Sequence, residues 1–212
     1  MQLTKYTHAC VRLDDRDRRL LVDPGIWTEP AAYADVTDIL VTHEHADHFD
    51  VAHVASLLAA RELRIYGPAG LRAAAEEDGA PEVAAAIQPV ATGDVFTAAG
   101  FEVRAVGGAH AKTYENLPGC DNVGFLVAGV YHPGDSYFVP AEPVETLLVP
   151  ASGPWTKLSE ALDFTRAVAP ARAFPIHDAM FSDRGNGNFD GWLGEKGQTA
   201  YARVPVGESV TF

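Results

Sequence analysis

The sequence predicts an α/β fold with many sheet strands, and three observations carry that expectation. Short apolar runs bounded by Gly, Pro and Asp alternate with stretches of helical periodicity along most of the chain. Hydrophobic residues make up 47% of the 212 residues, which suffices for a full core at this length. No internal repeat and no linker rich in Pro, Gly and Ser divides the chain, so one domain over residues 1–212 is the simplest reading.

Residues 3–13 and 19–22 read as paired strands, the second closed by the turn Asp23-Pro24-Gly25. A buried strand follows at 38–42. Residues 49–60 read as a helix, because Val51, Val54, Ala55 and Leu58 fall on one face. Residues 64–66 form a short strand stopped by Gly67-Pro68, and the Ala-rich run 69–86 favours helix with an interruption around Gly79 and Pro81. The pattern then turns to β at 94–96, 101–106, 123–127, 130–132 and 146–149. A helix at 159–168 is ended by Pro170, a strand follows at 173–176, and the Gly- and Asn-rich run 182–197 reads as loop.

Asp and Glu number 29 against 16 Lys and Arg, giving a net charge of −13. Such a field repels polyphosphates and anionic membrane surfaces, so a small molecule is the expected partner, and neither a nucleic acid nor a membrane is. The N-terminal stretch MQLTKYTHACVRL lacks the apolar run of a secretory signal, which makes the cytoplasm the expected compartment. In that compartment Cys10 and Cys120 are expected as free thiols. The oligomeric state is left open.

The chemistry concentrates after the strand at 38–42, in His43-Glu44-His45-Ala46-Asp47-His48. At this chain's composition such a His-x-His-x-Asp-His string arises by chance on the order of once in a thousand chains. His43 and His45, two apart in an extended turn, point the same way, whereas Asp47 and His48 stand where the next helix begins and aim elsewhere. Imidazoles and a carboxylate suit a borderline metal such as zinc, and divergent directions suit two ions. Further donors are expected at His110, Asp135 and His177, each just beyond the carboxyl end of a strand, where open α/β sheets bind ligands. His132 competes with His110, but is expected inside the strand that leads to Asp135.

The order His-x-His-x-Asp-His, lone His, Gly-Asp and strand-terminal His, running from residue 43 to 177, resembles the metallo-β-lactamase superfamily. The flanks Thr7-His8-Ala9-Cys10, Leu21-Val22-Asp23-Pro24 and Leu148-Val149-Pro150-Ala151 are similar to its compact branch of small metal-dependent hydrolases related to ascorbate-6-phosphate lactonase. The resemblance implies a four-layer αβ/βα sandwich, two mixed sheets face to face with helices outside. It implies that His43, His45 and His110 hold a first metal, that Asp47, His48 and His177 hold a second, and that Asp135 bridges both. Two divalent ions are implied, zinc first, with manganese or iron as alternatives.

Two cations about 3.5–4 Å apart acidify a bridging water and generate hydroxide at neutral pH. The expected activity is therefore hydrolysis of an ester, lactone, amide or phosphoester, with Asp47 as proton carrier and Asp135 as bridge. The alternatives are a non-catalytic metal-binding protein of the same fold, a nuclease or phosphodiesterase, and an oxygen-linked iron enzyme. Pro133 before Gly134-Asp135 removes a backbone donor beside the bridging carboxylate. His8, expected in the first strand, is either a packed core imidazole or a residue that steadies a metal ligand or contacts substrate. The loop-like segments 111–122 and 178–192 offer Tyr114, Asn116, Asn122, Phe181 and Trp192 as pocket walls, and Trp155 offers another. Only Lys112 and Arg184 carry positive charge there, so a substrate with several phosphates is not indicated.

Overall fold

The computed structural model describes residues 1–115, 117 and 119–212. The first part of the chain lays down β1 (Gln2–Lys5), β2 (Val11–Asp15), β3 (Arg18–Val22), β4 (Asp38–Leu40), α1 (Val51–Leu58), β5 (Arg64–Gly67), α2 (Gly70–Glu77), α3 (Pro81–Ala86) and β6 (Ile87–Pro89). Then come β7 (Val95–Ala98), β8 (Phe101–Gly107), β9 (Val123–Val127), β10 (Val130–His132), β11 (Thr146–Pro150), α4 (Leu158–Val168), β12 (Arg172–Ile176), α5 (Asp183–Lys196) and β13 (Ala200–Tyr201). The last strand, β14 (Ser209–Thr211), returns to pair with β1.

Two seven-stranded mixed sheets result, ordered β14-β1-β2-β3-β4-β5-β6 and β13-β12-β11-β10-β9-β8-β7. Each is antiparallel on one side and parallel on the other, the change falling at β3 in the first and at β10 in the second. Period-two alternation sorts the side chains into layers. Leu20 and Val22 of β3 face Val103, Phe125, Leu148 and Phe174 between the sheets, while Leu21 turns outward to Ile39, Val54, Leu71 and Val83. Leu147 and Val149 of β11 likewise turn away from Leu148, into a third cluster with Ala161, Phe164, Phe189 and Leu193. Three apolar layers between helices, sheet, sheet and helices make the αβ/βα sandwich that the family resemblance implied.

Three local expectations are corrected. Residues 3–13 form two strands and not one: Tyr6 N–H donates to Cys10 O at 2.9 Å, closing a turn that carries His8 at φ 64°. His8 therefore sits at a turn tip and not within a strand. The run 182–197 is mostly helix: the Ser182 hydroxyl accepts the Gly185 amide at 3.3 Å, and Phe189 and Leu193, four apart, bury one face. A cap and two apolar anchors outweigh the poor helix propensity of its glycines and asparagines. The last strands, β13 and β14, are too short to leave a periodic signature. Among the described residues no helix is long and apolar enough to cross a membrane.

Candidate metal centre

Every element that feeds the site ends at the same edge of the sandwich. Beyond β4 the chain continues through Val41 and Thr42 into His43, and the His48 and Phe49 amides both donate to His45 O at 2.9 Å, winding the motif into a tight turn before α1. The Asp50 carboxylate accepts the His53 amide at 2.9 Å and starts the helix there. Gly25 lies against this turn so closely that an added Cβ would stand 2.0 Å from Asp47 O. His110 follows β8, Asp135 follows β10 and His177 follows β12.

The structure brings all seven of the expected donor residues together, in two groups. His43 Nε2 stands 3.0 Å from His45 Nδ1, and His110 Nε2 stands 3.2 Å from Asp135 Oδ2. Opposite them, His48 Nε2 and His177 Nε2 lie 3.0 and 3.2 Å from Asp135 Oδ1, and His177 Nε2 lies 3.3 Å from Asp47 Oδ2. Asp135 thus presents one oxygen to each group.

The outward nitrogens fix the tautomers. Thr42 Oγ1 donates its one proton to Asp23 Oδ2 at 2.7 Å and so accepts the Nδ1–H of His43 at 3.0 Å. His48 Nδ1–H donates to Asp23 Oδ2 at 2.7 Å, His110 Nδ1–H to Ala111 O at 2.6 Å, and His177 Nδ1–H to Ser152 O. In the neutral rings this leaves the Nε2 lone pairs of His43, His48, His110 and His177 directed inward, the state in which imidazole binds a metal. His48 Nε2, His177 Nε2 and Asp135 Oδ1 are buried with no hydrogen-bond partner among the described residues. Buried acceptors converging without a donor between them need a cation, and nitrogen and carboxylate oxygens without thiolate fit two borderline divalent ions. The donor set therefore fits the metals implied by the sequence.

Electrostatics show the same demand for positive charge. Burial lowers His177, but Asp135 and Asp47 outweigh it and lift the imidazole to about 9. His48 is likewise raised against burial by Asp135 and Asp23, whereas burial and neighbouring imidazoles hold His43 low. The two carboxylates are held well below their usual range, burial being overcome by the surrounding imidazoles.

The remaining candidates separate. His8 Nδ1 accepts the Ala179 amide at 3.3 Å, so its Nε2–H donates to Asp47 Oδ2 at 3.1 Å; it steadies that carboxylate and offers no lone pair inward. His132 is used at both nitrogens, by Ala9 O and the Gly134 amide, within the core. Asn122 and Trp155 are buried and do not form open walls. Asn122 accepts the Asp135 amide at 2.9 Å and donates to Pro133 O at 2.8 Å; Trp155 Nε1–H donates to Asp135 Oδ2 at 3.0 Å. Both hold the central carboxylate. The donor that Pro133 lacks is not needed, because the next two amides are answered by His132 and Asn122. Gly134, at φ 63°, has Asn122 Oδ1 where a Cβ would fall, at 2.3 Å.

Phe181 packs on Phe189, and Trp192 is exposed on α5, a helix where a pocket loop was expected. Tyr114 is exposed, and Asn116 lies outside the described residues. A cleft of about 440 Å³ opens beside His45 and His110, lined by Lys112, Thr113, Leu117, Cys120 and Asp121. Another, of about 600 Å³, lies at the opposite end of the sandwich around Arg18, Phe101 and Arg104, remote from the donor groups.

Sequence reasoning missed Asp23, Ser152 and Trp27. Asp23 takes the Thr42 amide and hydroxyl and the His48 ring, each at 2.7 Å; a carboxylate in a Pro-Gly turn at a strand end was the available signal. Trp27 meets His8 in a T-shaped pair, with centroids 4.9 Å apart, and nothing local marks it.

Known proteins share this arrangement of sequence and fold. The profile of the beta-lactamase superfamily domain matches residues 2–177. Protein Rv0786c of Mycobacterium tuberculosis is 39% identical, with full coverage of both chains. UPF0173 protein PF0020 of Pyrococcus furiosus is 30% identical over 86% of each. Among solved structures, Igni18 of Ignicoccus hospitalis, described as a metallo hydrolase, superposes with a TM-score of 0.74 at 19% identity, covering 100% of this chain and 97% of that one. The chain therefore belongs to the metallo-β-lactamase superfamily and, within it, to the UPF0173 metal-dependent hydrolase family.

Proposed function

We propose that the protein is a dinuclear metal-dependent hydrolase of small molecules, cleaving an ester, lactone, amide or phosphoester. The observation that carries this reading is the convergence of the unpaired Nε2 atoms of His48 and His177 on Asp135 Oδ1, with His110 Nε2 at Oδ2 and the opposite nitrogen of each of these rings already engaged. His43, His45 and His110 would hold one ion, Asp47, His48 and His177 the other, and Asp135 both. When bound, such ions supply Lewis acidity and an activated water. The chain's own residues do the rest. Asp23, Thr42 and Ser152 hold ring tautomers, Trp155 and Asn122 aim Asp135, and His8 holds Asp47 through one oxygen. An Asp47 held in this way keeps an oxygen free to take a proton from the attacking water and pass it to the leaving group.

The test is metal content by plasma mass spectrometry on protein prepared without chelator, with turnover of chromogenic esters, lactones and phosphodiesters before and after chelation. About two equivalents, zinc foremost, with chelator-sensitive turnover is expected. Absence of bound metal after reconstitution overturns the reading. Bound metal without turnover of any bond class would favour a non-catalytic metal protein.

A further inference from the structure

Of the 16 lysines and arginines in the chain, Lys5 alone is buried among the described residues, at 1% exposure. Burial lowers the pKa of its ammonium, and Asp178 acts against that fall. The Nζ lies where three acceptors meet, donating to Tyr6 O, to His8 O at 2.7 Å and to Asp178 Oδ1 at 3.5 Å. An ammonium carries three hydrogens and can answer all three at once. The two segments it joins both turn through left-handed residues. His8 stands at φ 64° and His177 at φ 55°, the His177 amide donates to His8 O at 3.1 Å, and the two ring centroids lie 3.9 Å apart. Non-glycine residues persist in that region only where their surroundings hold them there. The other Asp178 oxygen is taken by Arg203, which also binds Asp190 of α5. Lys5 therefore closes the junction between the His8 turn and the segment that carries His177.

We infer that Lys5 is a positioning residue for the second ion alone, setting His177 through the backbone and Asp47 through His8. This rests on the dinuclear reading of the centre and deepens it, because the two ions then depend on separately supported donor groups. His8 Nε2–H holds Asp47 Oδ2 at 3.1 Å, so a shift of the His8 turn moves a carboxylate and an imidazole of the same group together. The first group has no share in this support. Among the described residues no hydrogen bond or ion pair links Lys5, His8 or Asp178 to His43, His45 or His110. His43 and His110 are held instead by Thr42 and Ala111. An apolar side chain in place of Lys5 leaves three buried acceptors without a donor, and the junction relieves that by opening.

The experiment takes the full chain, stripped of metal, and titrates it with zinc against a chromogenic chelator, which reads each equivalent without turnover. In Lys5→Met one equivalent is expected to keep its wild-type affinity and the other to weaken about 10- to 100-fold, the usual consequence of losing a group that orients ligands. Two backgrounds assign the weakened ion. In His45→Ala, where the group of Asp47, His48 and His177 is intact, Lys5→Met weakens the remaining ion; in His177→Ala it leaves the remaining ion unchanged. Once His8→Ala has removed the ring that reaches Asp47, adding Lys5→Met weakens the second ion less than it does in the wild type. Asp38→Ala, which unpairs a buried charge elsewhere, lowers the denaturation midpoint and leaves both affinities alone, so lost stability by itself does not imitate the selective effect. Lys5→Gln keeps two donor hydrogens, gives the same selective loss in smaller degree, and serves if Lys5→Met does not fold. Equal weakening of both ions, or none, overturns the inference and leaves the hydrolase reading standing. A selective loss in a protein that turns over no ester, lactone or phosphodiester upholds the positioning role and removes the hydrolase reading. A wild-type protein that binds only one ion overturns both.

Discussion

Buried carboxylates stand beside both ends of β4, Asp38 as its first residue and Asp135, from the turn after β10, against the histidines that follow its carboxyl end, and the two are treated in opposite ways. At the amino end Asp38 is wholly buried, with Arg64 Nε and Nη2 donating at 2.9 and 2.6 Å and Thr37 Oγ1 at 2.7 Å. Its acceptor capacity is met within the chain. At the carboxyl end Asp135, equally buried, receives Trp155 Nε1–H on Oδ2, yet Oδ1 has no donor and faces two imidazole nitrogens in the same condition. Burying a carboxylate without compensation is costly. Where the sequence supplies partners the group contributes to folding, and where it withholds them the site is arranged for something the chain does not itself contain.

The largest effects are expected at the unsatisfied end. Asp135→Ala removes the group that spans both donor sets, so turnover should fall about a thousandfold or more and bound metal should drop below two equivalents while circular dichroism stays native. Full turnover by a folded, metal-depleted Asp135→Ala protein would sink the dinuclear reading. Asp23→Asn is the next step down. Its replacement amide keeps the shape, but its NH₂ can no longer accept, so the His48 tautomer is released; metal affinity should fall about 10- to 100-fold with little change in fold. Affinity measured by competition with a chromogenic chelator decides it, and an unchanged value would show that His48 is oriented by packing alone.

The contrast between the two ends also explains what the sequence disclosed. His43, His45, Asp47 and His48 were visible because ligand chemistry forces four polar residues into six positions, and His110, Asp135 and His177 because each follows a strand. The residues that orient them carry no comparable pattern. Trp155 and Asn122 looked like pocket walls because loops in this position carry such side chains, and only the fold turns them inward toward Asp135. His8 was misplaced for a backbone reason: alternation over residues 3–13 reads as one strand, whereas a left-handed residue at its centre reverses the chain. Lys5 takes part in that reversal, its buried Nζ donating to His8 O at 2.7 Å. The α5 helix escaped notice since its two buried anchors are diluted by Gly and Asn.

The satisfied end should respond in stability alone. Asp38→Ala leaves Arg64 without its partner, and cutting a fully buried ion pair typically costs about 3–5 kcal/mol. The Arg64 side chain is 56% exposed and can return to water, which reduces the expected loss to about 1–2 kcal/mol, with turnover and metal content unchanged. Chemical denaturation checks the first and plasma mass spectrometry the second.

The smallest effect is the pH dependence of that difference. Burial by itself raises the Asp38 carboxyl, but the hydrogen bonds from Arg64 and Thr37 outweigh it, and its pKa in the folded protein is lowered. A group whose folded value lies below its unfolded value adds stability that is fully present above the unfolded value, about 3.9 for Asp, and is lost as pH falls through the folded one. Asp38→Asn has no proton to exchange. The gap between wild type and Asp38→Asn in denaturation midpoint should therefore be constant from neutral pH down to about 5 and should narrow below about 4. A gap that widened on acidification would mean that burial, and not Arg64, governs this carboxylate. Asp38 and Asp135 would then differ in degree only, since both would hold a charge that the chain leaves under-compensated.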